Sequence, residues 1–258
     1  MGDFLDVLAA DAKRTVAEGY YKVDCYAPHS ALSLRKTIEE CPLNAVISEI
    51  KKASPSLGSI RTRIDPAEIA SEMVAGGAIG ISVLTEPVHF KGELDSIRRV
   101  REAVKAPILM KDIVVDPAQV EAASRSRADV ILLIKALFDR GHCLHGLDEM
   151  IEHAHGMGLE VLLETHTGKE FGGALKSDAD LIGINNRNLK TLEVDLGVTE
   201  RILESYDFED RVIVSESGVK TPQDLLRLKE TGARAFLIGS ALMQTDDIRG
   251  AVRRFVLA

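Results

Sequence analysis

The chain has 258 residues, of which 45% are hydrophobic and 28% charged, a balance ordinary for a globular protein with a core of its own. The 40 acidic residues against 32 basic ones give a formal charge of −8, which argues against bulk affinity for nucleic acid or an anionic membrane. No apolar run reaches the ~20 residues of a membrane span; VILLIKALF is interrupted by Lys135.

The start, MGDFLDVLAADAKR, carries acids where a secretory signal needs positive charge, so a cytoplasmic location is expected. Phe4, Leu5, Leu8, Ala9, Ala12 and Val16 recur at helical spacing. HSALSLRKTIEE follows as a second helix, with Ser30 or Ser33 near its N-cap. Residues 1–43 are expected to form a helical extension covering one end of the remaining chain, as a cap or as a lid. Cys25, Cys41 and Cys143 are odd in number and widely spaced, which predicts free thiols in a reducing compartment, not a disulfide framework or a zinc site.

From residue 44 onward a pairing of elements repeats. Short β-branched or apolar runs lie at 44–50, 79–85, 107–111, 129–134, 159–164, 180–185, 211–216 and 235–239. Longer stretches of helical period separate them. DPAEIASEMVAGG, DPAQVEAASRSR and TPQDLLRLKETG open with an N-cap residue followed by proline at the first helical position. Gly77, Gly158 and Gly232 stand where such helices end. Strand starts recur at roughly the length of one βα unit. Eight units predict a (β/α)8 TIM barrel over 44–258, with the whole chain, 1–258, as a single domain. An open doubly wound sheet would want a Gly-rich first turn, and no G-x-G-x-x-G occurs.

Function in such a barrel gathers at the C-terminal ends of the strands. The ends here read Ser48-Glu49-Ile50-Lys51-Lys52, Met110-Lys111-Asp112, Leu163-Glu164-Thr165-His166, Ile184-Asn185-Asn186-Arg187, Ser215-Glu216-Ser217-Gly218 and Ile238-Gly239-Ser240. Side chains two apart on a strand share a face. Parity therefore aims Glu49, Lys51, Lys111, Glu164, Asn185, Arg187 and Glu216 into one mouth. One charge at a strand end is an ordinary solvated residue; five strands ending alike are not. Carboxylates and ammonium groups packed together shift one another's pKa values and suit acid–base chemistry. Only His166 lies near the cluster, so no metal site is expected there. Ser217-Gly218 and Gly239-Ser240, each followed by a helix, predict a phosphate site after the last two strands. In KKASPSLGSI (51–60), Ser54, Ser56, Lys51 or Lys52 would hold an anion, unless the segment is an ordinary βα loop. His142, His145, His153 and His155 are expected on a solvated helix surface, not around a metal.

SEIKKASPSLG, LTEPVHFKG, PILMKDIVV, LLETHT, IGINNRNL, VSESGV and AFLIGSALM, in this order, resemble the indole-3-glycerol phosphate synthase family from about residue 44 to 245. The resemblance implies an enzyme of tryptophan biosynthesis that converts 1-(2-carboxyphenylamino)-1-deoxyribulose 5-phosphate to indole-3-glycerol phosphate, carbon dioxide and water. It implies no cofactor and no metal, a monomer, and a small phosphorylated substrate as partner. Carried over by motif position, Lys111 looks like the acid that protonates the C2′ carbonyl oxygen. Glu164 looks like the carboxylate facing the anilino nitrogen. Glu49 and Lys51 look like the pair serving dehydration and holding the substrate carboxylate. Asn185 and Glu216 look like groups orienting substrate hydroxyls and Lys111. Arg187 looks like a partner for the ring carboxylate or for a site carboxylate. Ser54, Gly218, Gly239 and Ser240, with Ser217 nearby, look like the phosphate cradle. Phe90, Ile113, Leu132 and Leu189 look like the aryl pocket, with core packing the competing reading. Two rival functions are another phosphate-binding barrel of the same pathway (phosphoribosylanthranilate isomerase or tryptophan synthase α type) and a non-catalytic phosphate-ligand-binding barrel.

Overall fold

A computed structural model of the chain describes residues 3–24, 30–54, 58–59, 64–208 and 210–258. Eight parallel strands close into a barrel: β1 (Ala45–Ile50), β2 (Gly80–Leu84), β3 (Ile108–Lys111), β4 (Val130–Ile134), β5 (Glu160–Thr165), β6 (Leu181–Asn185), β7 (Ile213–Glu216) and β8 (Ala235–Ile238). Each strand pairs with the next, and β8 returns to β1 with Val46 opposite Phe236. The predicted runs match these strands within two residues at either end.

The strands are buried on both sides, so their sequences are almost wholly apolar up to the C-terminal end. Alternation then sorts the side chains. Val46, Ile81, Ile108, Ile131, Val161 and Ile182 point outward and pack on the helices. Ile47, Leu109, Leu132, Leu162, Val214 and Leu237 fill the barrel interior. The helices start where the sequence marks them. Asp65, Asp116 and Thr221 each cap the helix whose first residue is a proline. Gly77, Gly158 and Gly232 follow helix ends with φ of 102°, 77° and 106°, a conformation costly for any residue bearing a Cβ.

The N-terminal extension does not cover one end of the barrel; its two helices serve opposite ends. Helix Phe4–Ala17 lies at the C-terminal mouth, where Phe4, Leu5 and Leu8 reach into the cavity. Asp11 Oδ2 pairs with His89 at 2.7 Å, and Asp6 Oδ1 with His142 at 2.9 Å. Tyr20 continues the strap by donating its hydroxyl to Thr85 O at 3.1 Å. Helix Leu34–Glu39 instead plugs the N-terminal end. Glu160, the first residue of β5, accepts from Leu34 N at 2.8 Å and from the Ser33 hydroxyl. Asp129, just before β4, accepts from Leu32 N at 2.8 Å. Ser33, not Ser30, caps this helix. Leu34 fits against Gly80, where an added Cβ would stand 2.9 Å from Leu34 Cδ1.

His142 and His145 precede the helix Leu147–Gly156 instead of lying on one helix face. They and His155 pair with different acids: Asp6, Glu149 and Asp180. Cys41 and Cys143 are free thiols. Cys25 and Ser56 lie outside the described residues. Among the described residues, no helix is long and apolar enough to cross a membrane.

Leu34 is 1% exposed at the plugged end, 126 residues from its anchor Glu160. Leu34→Ala should lower unfolding free energy by about 2–5 kcal/mol in denaturant titrations. Turnover by the folded variant should stay near the parental value, because the plug faces away from the mouth. An unchanged midpoint would show that this helix does not seal the barrel.

Candidate active site

The C-terminal mouth encloses a cavity of about 720 Å³. Its floor is set by strand register. Glu49 lies opposite Ser82, Leu84 opposite Lys111, Ile134 opposite Glu164, and Asn185 opposite Glu216. These offsets place Glu49, Lys111, Glu164 and Glu216, from the four odd strands, in a single layer, the repeating unit of a barrel interior. Lower layers of this barrel are aliphatic; this one is ionisable.

Lys111 Nζ lies 3.0 Å from Glu164 Oε2 and 3.3 Å from Glu216 Oε2. Burial opposes the Lys111 charge, but the carboxylates of Glu164, Glu216 and Glu49 outweigh it and hold the ammonium above its usual range. The two acids diverge. Burial raises Glu164, yet Lys111, His166 and Asn185 outweigh it and carry its carboxyl below the usual range. Burial also raises Glu216, and there Lys111 fails to compensate while the charge of Glu164 adds to the rise. Two carboxylates sharing one ammonium thus split into a charged and a neutral form.

Two glycines make room for this layer. A Cβ at Gly183 would fall 2.2 Å from Glu216 Oε1, and one at Gly239 2.7 Å from Glu49 Oε1. Glu49 Oε1 in turn holds Lys51 Nζ at 2.6 Å. Asn185 Oδ1 accepts from Arg187 N at 3.0 Å, and Arg187 Nη1 donates to Leu192 O at 2.8 Å. Burial lowers the Arg187 pKa, with Glu49 opposing the fall.

After β7 the chain turns sharply. Ser217 and Gly218 both have positive φ, 62° and 98°. A Cβ at Gly218 would lie 2.5 Å from Val194 Cγ1, so the turn tolerates no larger residue. Beside it, Gly239 precedes helix Ser240–Met243 with no side-chain cap. That leaves first-turn N–H groups without a side-chain acceptor, facing the cavity.

Every residue that the sequence aimed at the mouth is there. Glu49, Lys51, Lys111, Glu164, Asn185 and Glu216 line the cavity, as do Phe90, Ile113, Leu132, Arg187, Leu189, Ser217, Gly218, Gly239 and Ser240. Ser54 belongs to a short hairpin, Ala53–Ser54 against Gly58–Ser59, and its side chain lies outside what is described. Lys52 points elsewhere and pairs with Glu93 at 2.7 Å. Sequence reasoning missed the apolar roof: Phe4, Leu5 and Leu8 from the extension, and Leu192 and Val194 from the loop after β6. It also missed Glu86, which accepts from Val88 N, His89 N and Phe90 N at 2.7–2.9 Å and so shapes the loop that carries Phe90. An acid followed directly by proline at the end of a strand, Glu86-Pro87, was the available signal. Asp112 was passed over as well. It accepts from Tyr21, Thr85 and Ile113 N, and burial raises its pKa to about 6. Among the described residues, no three His, Cys, Asp or Glu side chains are grouped to hold a metal ion.

The same arrangement has relatives. The indole-3-glycerol phosphate synthase family model matches residues 6–255. An indole-3-glycerol phosphate synthase of Dehalococcoides mccartyi is 44% identical over 214 residues, covering 82% of this chain and 81% of that protein. That of Rhodospirillum rubrum is 43% identical over 234 residues, covering 90% and 87%. Among solved structures, an N-acetylmannosamine-6-phosphate 2-epimerase from Clostridium perfringens superposes with a TM-score of 0.62 at 16% identity, covering 84% of this chain and 93% of that one, and speaks for the barrel alone. On its sequence throughout, and with the charged layer in place at the mouth, the chain belongs to the indole-3-glycerol phosphate synthase family.

Proposed function

We propose that the layer Glu49–Lys111–Glu164–Glu216 performs the proton transfers of indole-3-glycerol phosphate formation, and that the Gly218 and Ser240 turns hold the substrate phosphate. The family reaction is a carboxy-lyase ring closure on 1-(2-carboxyphenylamino)-1-deoxyribulose 5-phosphate. An aryl carbon attacks the C2′ carbonyl. The iminium so formed draws off the electrons released as carbon dioxide leaves, and loss of water restores aromaticity. The protein must therefore bend the chain end onto the ring and deliver protons.

The observation that carries the reading is one ammonium group, Lys111, held 3.0 Å from one buried carboxylate and 3.3 Å from another. Lys111 protonates the C2′ oxygen as the new bond forms. Glu164, kept charged, faces the anilino nitrogen as positive charge develops there. Glu216, held neutral, orients Lys111 without competing for its proton, and Asn185 turns toward Glu164. Glu49 and Lys51, paired at 2.6 Å, take part in dehydration and in holding the substrate carboxylate, with Arg187 beside them. Ser217, Gly239 and, from the flanking hairpin, Ser54 complete the phosphate cradle. Phe90, Ile113, Leu132 and Leu189 receive the aryl ring.

The protein works as a monomer in the cytoplasm without a cofactor, a metal or a nucleic-acid partner. The formal charge of −8 supports the absence of a nucleic-acid partner, and the exposed large apolar residues Val7, Leu32, Leu43, Leu144, Val194, Leu226 and Leu257, drawn from separate elements and loops, support the monomer.

Indole emission tests the activity directly, since the chain contains no tryptophan to obscure it. Lys111→Ala and Glu164→Gln should each cut kcat by about 100-fold or more with the circular dichroism of the parent; activity within tenfold of the parent in either would remove these roles. Ser240→Asp should raise KM by repelling phosphate, and an unchanged KM would move the phosphate elsewhere.

The protonation of Glu216 has a thermodynamic signature. Its carboxyl is raised from 4.5 to about 8 in the folded state, so the native form binds the extra proton and stability declines as pH climbs through that window. Glutamine cannot ionise. The melting temperature of Glu216→Gln should therefore gain on the parent progressively from pH 4.5 to about 8. A gap independent of pH would mean that Glu216 is charged throughout.

A further inference from the structure

Glu164 divides its two oxygens between partners. Oε2 faces Lys111, while Oε1 lies 3.3 Å from Nε2 of His166, two residues along the same strand face. The imidazole is 7% exposed, and its other nitrogen, Nδ1, lies 3.7 Å from Glu170 Oε2. Neither ring nitrogen makes a hydrogen bond among the described residues; each faces a carboxylate instead. Two buried polar nitrogens left so would be costly unless the ring answers to those charges.

Glu170 is itself fixed. It sits in the first turn of helix Gly168–Ala174, where its backbone N donates to the Thr167 hydroxyl at 3.2 Å. Its Oε2 accepts from His166 N at 2.8 Å. Burial raises its carboxyl, but the His166 contacts prevail and keep it below the usual range. A charged carboxylate thus stands at each ring nitrogen, Glu170 at Nδ1 and Glu164 at Nε2, which fixes the ring's orientation and makes the Nε2 hydrogen the donor that faces Glu164.

We propose that His166 is a positioning residue for Glu164, and that the chain Glu170–His166–Glu164 holds that carboxylate in the orientation used during ring closure. This rests on the role given to Glu164 above. The ring needs only a small rotation to turn its 3.3 Å approach into a hydrogen bond, the kind of tightening that follows substrate binding. Lys111 and His166 then grip the carboxylate from its two oxygens, and neither oxygen is free to rotate away from the anilino nitrogen. The groups facing Glu164 are Lys111 from β3, Asn185 from β6, Glu216 of β7 through their shared lysine, and His166. Those facing His166 are Glu164 and Glu170.

Steady-state kinetics across pH test the proposal. His166→Phe should lower kcat by about 10–100-fold, the worth of one hydrogen bond to a charged group, with KM within about threefold of the parent. The acid limb of its kcat profile should move to higher pH, because Glu164 loses a group that favours its charged form. His166→Gln, whose amide nitrogen reaches toward the place of Nε2, should restore kcat to within about threefold and return the acid limb. Parental kcat and acid limb in His166→Phe would overturn the proposal. So would equal losses in the Phe and Gln variants accompanied by a raised KM, which is the mark of a packing defect. Should His166→Phe not fold, His166→Asn, too short to reach Glu164, takes its place against His166→Gln. Glu164→Gln is assayed alongside. If it stays active, the role of Glu164 has failed; if it is dead while His166→Phe is active, only the role of His166 has.

Discussion

Lys111 stands between two buried carboxylates at 3.0 and 3.3 Å, and the chemistry of the mouth depends on how that trio shares its protons. A single ammonium group cannot neutralise two acids removed from water. The conflict is resolved by separating them: Glu164 is held in its charged form and Glu216 in its neutral one. The cations Lys51, Lys111, Arg187 and Lys220 line the same cavity as the acids, and holding Glu216 neutral removes one negative charge from among them. That lessens the repulsion an anionic ligand would meet in a protein whose overall charge is −8.

This layer is expensive for the fold, and the local backbone shows where room for it was made. Position 183 in β6 and position 239 just past β8 stand next to the acids of the odd strands. Any side chain there would overlap Glu216 or Glu49, so the aliphatic filling of the barrel stops below the mouth. Ser217 adopts a left-handed conformation that only glycine adopts without strain, in the turn after β7 that lines the cavity. At the opposite end of the barrel the room made by a glycine, Gly80, receives an apolar side chain, Leu34, instead of a buried acid. There the Leu34 plug, Asp129 and Glu160 tie the extension to the first residues of strands. Stability and reactivity are thus placed at opposite ends of the same eight strands.

The eight-fold repeat was legible because a parallel barrel strand, buried on both faces, must be an apolar run, and because each connecting helix announces itself with Asp-Pro or Thr-Pro and closes with glycine. Parity made the charged layer legible too: Glu49, Lys51, Glu164 and Glu216 follow from counting by two along a strand. What parity could not convey is which distant apolar residues roof the cavity. Phe4, Leu5 and Leu8 form an ordinary amphipathic stripe, and nothing local says that part of it faces substrate instead of core. The split of the extension between two ends was hidden for the same reason, since it rests on contacts such as Leu34 to Glu160, 126 residues apart. Lys52 looked equivalent to Lys51 until Glu93, from the following βα unit, claimed it.

The roof and the floor make different contributions to ring closure. The floor is rigid: four side chains stand on four strands of the closed barrel, with Glu164 and Glu216 at positions paired to both neighbouring strands, and present charges at fixed points. The roof is assembled from a helix and two loops, held by polar contacts such as Asp11 with His89 and Glu86 with the amides of Val88, His89 and Phe90. In the proposed reading, a substrate anchored by its phosphate at the β7 and β8 turns, with its ring against Phe90 and Leu189, folds its chain end over the floor that carries Lys111 and Glu164. The entropy lost in bringing the reacting carbons together is then met by binding energy from the phosphate and the ring. Grip and chemistry are separated in that reading: contacts from a helix and loops are assigned affinity, and the strand-borne layer, which cannot move without breaking the barrel, is assigned the protons.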